Sequence, residues 1–250
     1  MKIKVINPNT SVEMTRGIGE AASSVARPGT EIAAVSPDFG PASIESYYDE
    51  YVAACGVLDE IRKGEAEGTD AYVIACYGDP GLQAAREMTE KPVIGIAEAS
   101  FYTAAMLAAR FSIVTLIPRV RTMLEELVRG YGMADRIVAI RTTPLYVLDI
   151  ERDPASAMDK LRDEVRRSVR EDDAEAICLG CAGFAQFADE LEQELGVPVL
   201  DGVVCATKQA ELLVDLAKTT SKLKTYRPPE RKRFTGMFSH FSTDNASETP

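Results

Sequence analysis

The sequence has few of the residues on which common enzyme chemistries depend. Its one histidine, His240, falls close to the C-terminus. Because Ser-His and Cys-His nucleophiles need a base beside them, this excludes hydrolysis of that kind. No GxGxxG follows a predicted strand and no GxxxxGK[ST] occurs, so nothing indicates a bound dinucleotide or nucleoside triphosphate. No cluster of Asp, Glu and His indicates a metal, and we therefore expect a reaction without a cofactor.

Long apolar runs and clustered basic residues are also missing. The sequence contains no run of about 18 apolar residues, so no segment is expected to span a membrane. The chain enters a predicted strand at Lys2–Ile6 and shows no signal-peptide pattern. The net charge of −11 argues against nucleic-acid binding. Five irregularly spaced cysteines fit a reducing compartment better than a disulfide scaffold. We expect a soluble cytoplasmic protein that acts on a small molecule and forms a homo-oligomer, with no nucleic-acid or membrane partner.

Short apolar runs alternate with segments of helical period, which is typical of a parallel α/β sheet. Four strands are predicted up to Ile96 and four more from Ser112. We predict an α/β fold of two lobes related by a pseudo-twofold axis, each a mostly parallel four-stranded sheet flanked by helices. The active site is expected in the cleft between them. Residues 1–97 and 204–238 are assigned to the first lobe, 98–203 to the second, and 239–250 to a flexible tail.

Two cysteines occupy equivalent places in a repeated segment. Cys76 and Cys181 each end an apolar strand, and each is followed by a glycine-containing turn, a helix and a short strand led by Pro92 or Pro198. The spacings from cysteine to proline are 16 and 17 positions. Two halves related by a pseudo-twofold axis would place the thiols opposite each other across one cleft. That arrangement suits removal of a proton from one face of a carbon and its return to the other.

The turns after these cysteines are predicted to activate them. Asp79 is expected to cap the next helix, with Pro80 in its first position. Nearby backbone N–H groups and the helix dipole should lower the thiol pKa. A single free cysteine is more often a buried apolar residue. Two at matched strand ends, where α/β proteins bind ligands, favour the catalytic interpretation.

The remaining candidates are less distinctive. Cys55 and Cys205 are interpreted as core residues within helices. Cys178 and Cys181 form a CxxC, but strand geometry turns them to opposite faces and no histidine completes a zinc site. Thr10 and Glu13 have capping-box spacing, so Thr10 is expected to cap the first helix. Asn9, just before it, and Thr115, at the end of the fifth strand, are candidates to bind a polar ligand.

The segments Asn7–Ser11, Ala75–Gly81 and Leu179–Gly183 resemble the hydantoin racemase branch of the aspartate/glutamate racemase superfamily, and within it the allantoin racemases. The resemblance extends from Met1 to about Phe238. It implies cofactor-independent racemisation of allantoin or related 5-substituted hydantoins in purine catabolism, with Cys76 and Cys181 as the two bases.

The resemblance also implies how the substrate is held. Amino-acid racemases of the superfamily follow the catalytic cysteine with Asn-Thr, whereas this chain has Tyr77-Gly78 and Ala182-Gly183. This departure favours a neutral ring bound by the backbone of those four residues. The loop containing Ser43 and Ile44 either covers the cleft or simply connects two elements.

Other interpretations stay open. The same scaffold serves maleate isomerases, which use a cysteine nucleophile, and arylmalonate decarboxylases, which use one of the two cysteine positions. A non-catalytic small-molecule binding protein with structural cysteines is the third alternative.

Overall fold

The computed structural model describes residues 1–243, which form alternating strands and helices. The strands are β1 Lys2–Ile6, β2 Glu31–Val35, β3 Ala71–Ile74, β4 Val93–Gly95, β5 Phe111–Thr115, β6 Ile137–Thr142, β7 Ile177–Leu179 and β8 Val199–Leu200. The α-helices are α1 Val12–Val25, α2 Tyr47–Ala66, α3 Leu82–Met88, α4 Ile96–Leu107, α5 Arg121–Gly130, α6 Val147–Arg152, α7 Pro154–Glu171, α8 Ala188–Leu195 and α9 Gly202–Asp215. Short 3-10 helices cover Pro118–Val120, Ala182–Phe187 and Gly236–Phe241.

The strands form two four-stranded parallel sheets with the same topology. Their orders are β2-β1-β3-β4 and β6-β5-β7-β8, so the second sheet repeats the first with each strand number raised by four. Ile6 pairs with Ile74, and Val114 pairs with Leu179. The segments that follow these four strands therefore emerge side by side in each lobe. The predicted α/β class with two parallel sheets is confirmed.

The lobes share a continuous apolar core. It contains the inward residues of both sheets, such as Val5 and Val73 in the first and Ile113 and Leu179 in the second. A smaller cluster, which includes Tyr72 and Ile74, fills the other face of the first sheet. In each lobe, the helix that follows the fourth strand, α4 or α9, packs against its counterpart. A Cβ atom at Gly202 would lie 2.6 Å from the carbonyl oxygen of Ile96, so the two helix starts approach at backbone distance.

Two predicted helix caps are wrong. Ser11, not Thr10, caps α1, because its hydroxyl accepts the N–H of Met14. Asp79 does not cap the helix that follows it, which begins at Leu82 after Gly81. Its backbone adopts a left-handed conformation with φ of 48°, and its carboxylate instead accepts the N–H groups of Ala97 and Glu98 at the start of α4.

The chain after α9 returns to the first lobe. The backbone N–H of Thr220 donates to the carbonyl of Glu90, and the ammonium of Lys222 donates to the carbonyl of Glu87. Farther on, His240 lies 3.6 Å from the Asp59 carboxylate. Of the predicted tail, residues 244–250 lie outside the described residues, and the domain boundaries stay predictions. No helix within residues 1–243 is long and apolar enough to cross a membrane.

Replacement of Gly95 should cost stability because Asp79 occupies the space of its missing side chain. A Cβ atom there would lie 2.2 Å from the Asp79 Cγ. Gly95→Ala should therefore lower the free energy of unfolding by about 1–3 kcal/mol. Gly17, exposed within α1, has no atom within 4 Å of such a Cβ, and Gly17→Ala should raise stability by roughly 0.5–1 kcal/mol. Urea unfolding followed by circular dichroism measures both, and similar shifts in the two variants would contradict this account.

Candidate active site

The two cysteines follow equivalent central strands and face one cavity. Cys76 comes two residues after β3, and Cys181 comes two residues after β7. The residue before Cys181 must be small, because a Cβ atom at Gly180 would lie 2.6 Å from the Thr115 Cβ. Cys181 is buried and Cys76 is half-buried, and both thiols are free.

The cavity has an apolar wall and a small number of polar groups. Its lining residues are Asn7, Asn9, Met14, Ile44, Glu50, Ala75, Cys76, Tyr77, Gly78, Thr115, Leu116, Val120, Met123, Leu124, Val147, Gly180, Cys181 and Ala182. Eight of the ten residues predicted for the site are therefore brought together. The other two lie beside it: the Ser43 hydroxyl donates to Glu45, and Gly183 lines a neighbouring groove.

Burial governs the ionisation of both thiols. It raises the pKa of Cys181 to about 12 and that of Cys76 well above its ordinary value. The backbone N–H groups of Gly78 and Gly183, each two residues beyond one of these cysteines, act in the opposite direction and favour the thiolates. The net shift is opposite to the predicted one, because desolvation of a charged sulfur outweighs a single hydrogen bond.

The Asn7–Asn9 segment is held by its own hydrogen bonds. The Asn7 amide donates to Asn9 Oδ1 at 2.8 Å, and the N–H of Ser11 donates to the same oxygen at 2.9 Å. The amide nitrogen of Asn9 has only the Met14 sulfur as a partner, at 3.3 Å, among the hydrogen bonds of residues 1–243. Because a thioether is a weak acceptor, this N–H group is available to a ligand oxygen.

Thr115 and Tyr77 are more constrained than the sequence indicates. The Thr115 hydroxyl donates to the Gly180 carbonyl at 2.8 Å, so toward a ligand it can only accept. The Tyr77 hydroxyl is 2.7 Å from the Ser100 hydroxyl, and its ring packs edge-on against Phe101. The Tyr77 side chain therefore belongs to the core, and the backbone of this residue is what the turn can offer a substrate.

The turn after Cys76 is anchored by Asp79. In addition to two N–H groups of α4, the Asp79 carboxylate accepts the Tyr131 hydroxyl at 2.7 Å. Burial raises the pKa of Asp79 to about 7, against the effect of these three donors. Tyr131 follows α5, which lies between two strands of the second sheet. The hydrogen bond from Tyr131 to Asp79 therefore also joins the two halves of the chain.

Three further polar contacts connect the two halves around the cavity. The Ser11 hydroxyl donates to Glu151 at 2.8 Å, and the Val147 N–H donates to Glu45 at 2.8 Å. The Tyr47 hydroxyl donates to Glu126 at 2.7 Å. Val147, and Ile44 next to Glu45, both line the cavity, so the second of these contacts lies at its edge. The loop before α2 and the helix α6 thus lie together over the site.

The sequence interpretation missed two polar lining residues, Asn7 and Glu50, and several wall residues. Glu50 lies in the first turn of α2 and lines the cavity, where its carboxyl oxygen would be 3.0 Å from a Cβ at Gly78. An acidic residue in the first turn of a helix is so common that it gave no functional signal. The apolar wall, formed by Val120, Met123, Leu124 and Val147, comes from α5, α6 and the 3-10 turn before α5, which contain no motif.

The other three cysteines do not line this cavity. Cys178 is buried in β7, with its sulfur 3.8 Å from the Ser100 carbonyl oxygen, and Cys55 and Cys205 lie in α2 and α9. Within residues 1–243, no group of three His, Cys, Asp or Glu side chains is arranged to hold a metal ion.

Comparisons with known proteins match both the chain and its fold. Residues 3–210 match the Asp/Glu/Hydantoin racemase family. A protein named hydantoin racemase from Pseudomonas sp. (strain NS671) is 63% identical over 247 residues, which cover 99% of each chain. The structure of allantoin racemase from Klebsiella pneumoniae superposes with a TM-score of 0.95 at 47% identity, covering 97% of this chain and 99% of that one.

A second solved structure agrees with these matches. Allantoin racemase from Pseudomonas fluorescens superposes with a TM-score of 0.91 at 38% identity, covering 94% of this chain and all of that one. A match over most of the chain, at this identity, establishes common descent as well as common fold. The protein is an isomerase that belongs to the Asp/Glu/Hydantoin racemase family.

Proposed function

We propose that this protein interconverts the enantiomers of 5-substituted hydantoins, allantoin among them, by two-base proton transfer between Cys76 and Cys181. The observation that carries the proposal is that two free thiols, each two residues beyond an equivalent strand, line one cavity. Relatives named hydantoin racemase and allantoin racemase support the substrate class.

The proposed chemistry needs one thiolate and one thiol. The thiolate removes the proton from C5, and the electron pair of the C–H bond moves into the adjacent carbonyl to form an enolate. The opposite thiol then gives its proton to the other face of C5 and becomes the thiolate. The backbone N–H groups of Gly78 and Gly183 stabilise whichever sulfur carries the charge. The Asn9 amide N–H is the available side-chain donor for the enolate oxygen.

The charges of the residues that line the cavity favour a neutral substrate over an anionic one. Its lining, within residues 1–243, contains no lysine or arginine and one acidic residue, Glu50. The substrates of maleate isomerases and arylmalonate decarboxylases are dicarboxylates, which a carboxyl-bearing wall without a cation would disfavour. The apolar part of the wall, which includes Met123 and Val147, suits an alkyl or aromatic substituent on C5.

Proton exchange should accompany loss of optical rotation. The purified protein is incubated in D₂O with each enantiomer of allantoin, 5-benzylhydantoin or 5-(2-methylthioethyl)hydantoin, and rotation and the C5 proton signal are followed together. We expect rotation to fall while C5 takes up deuterium, at a rate well above that without enzyme. No change in either signal with any of the three compounds would refute the proposal.

Removal of either active-site thiol should slow racemisation by orders of magnitude. Cys76→Ser and Cys181→Ser should each lower kcat/KM by about 100- to 10,000-fold, the usual contribution of a general acid or base. Each variant keeps one active-site thiol, which can remove the C5 proton of only one enantiomer and return a deuteron to the same face. We therefore expect each variant to exchange one enantiomer slowly without inverting it, and the two variants to exchange opposite enantiomers. Cys55→Ser, on α2 away from the cavity, is the matched control and should keep wild-type rates. Near-normal racemisation by either active-site variant would contradict the two-base scheme.

The activity should increase with pH above neutrality. Burial raises the pKa of both thiols, that of Cys181 to about 12, so the thiolate is the minor form at pH 7. Because the pair needs one ionised member, kcat/KM should rise by about tenfold per pH unit on its acidic limb. Initial rates between about pH 6.5 and 9, corrected for racemisation without enzyme, measure this slope. A flat profile over that range would mean that a thiolate already exists at neutral pH.

A further inference from the structure

Glu50 places a carboxyl group in the wall of the cavity beside Cys76. Its carboxyl packs against the backbone of Gly78, two residues beyond that cysteine, and a Cβ atom on Gly78 would lie 3.0 Å from Glu50 Oε1. Glu50 is also the nearby charge that most strongly raises the pKa of Cys76. The carboxyl is thus close to the reacting sulfur and exposed to whatever occupies the cavity.

Glu50 differs from the other carboxyl groups around the site in its lack of a donor. Asp79 accepts three hydrogen bonds. Glu45 accepts the Val147 N–H, and Asp201 accepts the Val204 N–H at 2.7 Å. Among the hydrogen bonds and ion pairs of residues 1–243, none reaches the Glu50 carboxyl. Burial and the charges of Asp79 and Glu126 raise the pKa of Glu50 to about 7.

A half-buried carboxyl without a donor is costly unless a ligand supplies one. Hydantoins carry two ring N–H groups, N1–H next to C5 and N3–H between the two carbonyls. A carboxylate beside the C4 carbonyl would oppose the negative charge that develops there when C5 loses its proton. A carboxylate beside N1–H lies on the other side of C5 and avoids this repulsion.

We propose that Glu50 is a substrate-binding residue that accepts a hydrogen bond from the ring N1–H and so orients C5 between the two thiols. This assignment rests on the proposed function. It leaves the C4 carbonyl free to accept a hydrogen bond from the Asn9 amide. Without a ligand, that amide nitrogen donates to the Met14 sulfur. It also gives the site a reason to retain a carboxyl group that disfavours the Cys76 thiolate.

A combination of enzyme variants and methylated substrates tests the assignment. Glu50→Met removes the acceptor at similar size, and Glu50→Gln keeps one acceptor oxygen. The substrates are 5-benzylhydantoin and its 1-methyl and 3-methyl derivatives. Glu13→Met is the matched control, because Glu13 lies in the first turn of α1 just as Glu50 lies in that of α2, but it is outside the cavity. Thermal unfolding confirms that all variants fold.

Glu50→Met should lower kcat/KM for 5-benzylhydantoin by about 10- to 100-fold, the usual effect of a lost hydrogen bond to a charged group. The same loss should persist for the 3-methyl compound and disappear for the 1-methyl compound, which has no N1–H to lose. Glu50→Gln should recover part of the activity, and Glu13→Met should match the wild type. Where a methylated compound is not turned over, its inhibition constant gives the same comparison.

An equal loss with the parent and the 1-methyl compound, or no loss with the parent, would overturn the assignment. A loss confined to the parent and the 1-methyl compound would place Glu50 at N3–H and would overturn it as well. These outcomes are distinct from failure of the proposed function, in which the wild-type protein racemises none of the hydantoins.

Discussion

The hydrogen bonds of the Asp79 carboxylate connect the turn that carries Cys76 to the packing of the two lobes. Asp79 belongs to the turn that carries Cys76, and it binds the first N–H groups of α4. The same helix start meets α9 at Gly202, where only a glycine fits. Gly95 completes the arrangement by leaving room for the carboxylate. The position of one thiol therefore depends on contacts that also determine how the second half of the fold is joined to the first.

Several ionisable groups at the site are buried at a cost in desolvation free energy. Two thiols and the carboxyl groups of Glu50, Asp79 and Asp201 are fully or partly removed from water in and beside the cavity, and burial raises the pKa of each. A protein selected only for stability would replace such groups with apolar side chains. Ionisable groups whose pKa values are shifted by burial are typical of sites that transfer protons.

Much of the framework was predictable because local patterns determine it. The first strand covers the predicted residues Lys2–Ile6, and the repeated strand–cysteine–turn segments identified the two thiols that the structure brings to one cavity. The role of Asp79 was not predictable, because its partners lie in a helix that starts 17 residues later along the chain and its left-handed backbone breaks the expected cap. Glu50 was missed for a similar reason: its place in the cavity depends on how α2 meets a distant turn.

The surroundings of the two thiols are unequal, since Glu50 and Asp79 lie near Cys76 while Asp201 and Glu45 lie near Cys181. The two enantiomers of a hydantoin with a single stereocentre have equal free energies in solution, so their equilibrium constant is unity. The Haldane relationship then requires the same kcat/KM in both directions, whatever the asymmetry of the protein. The enzyme can hold one enantiomer more tightly only by turning it over more slowly in the same proportion.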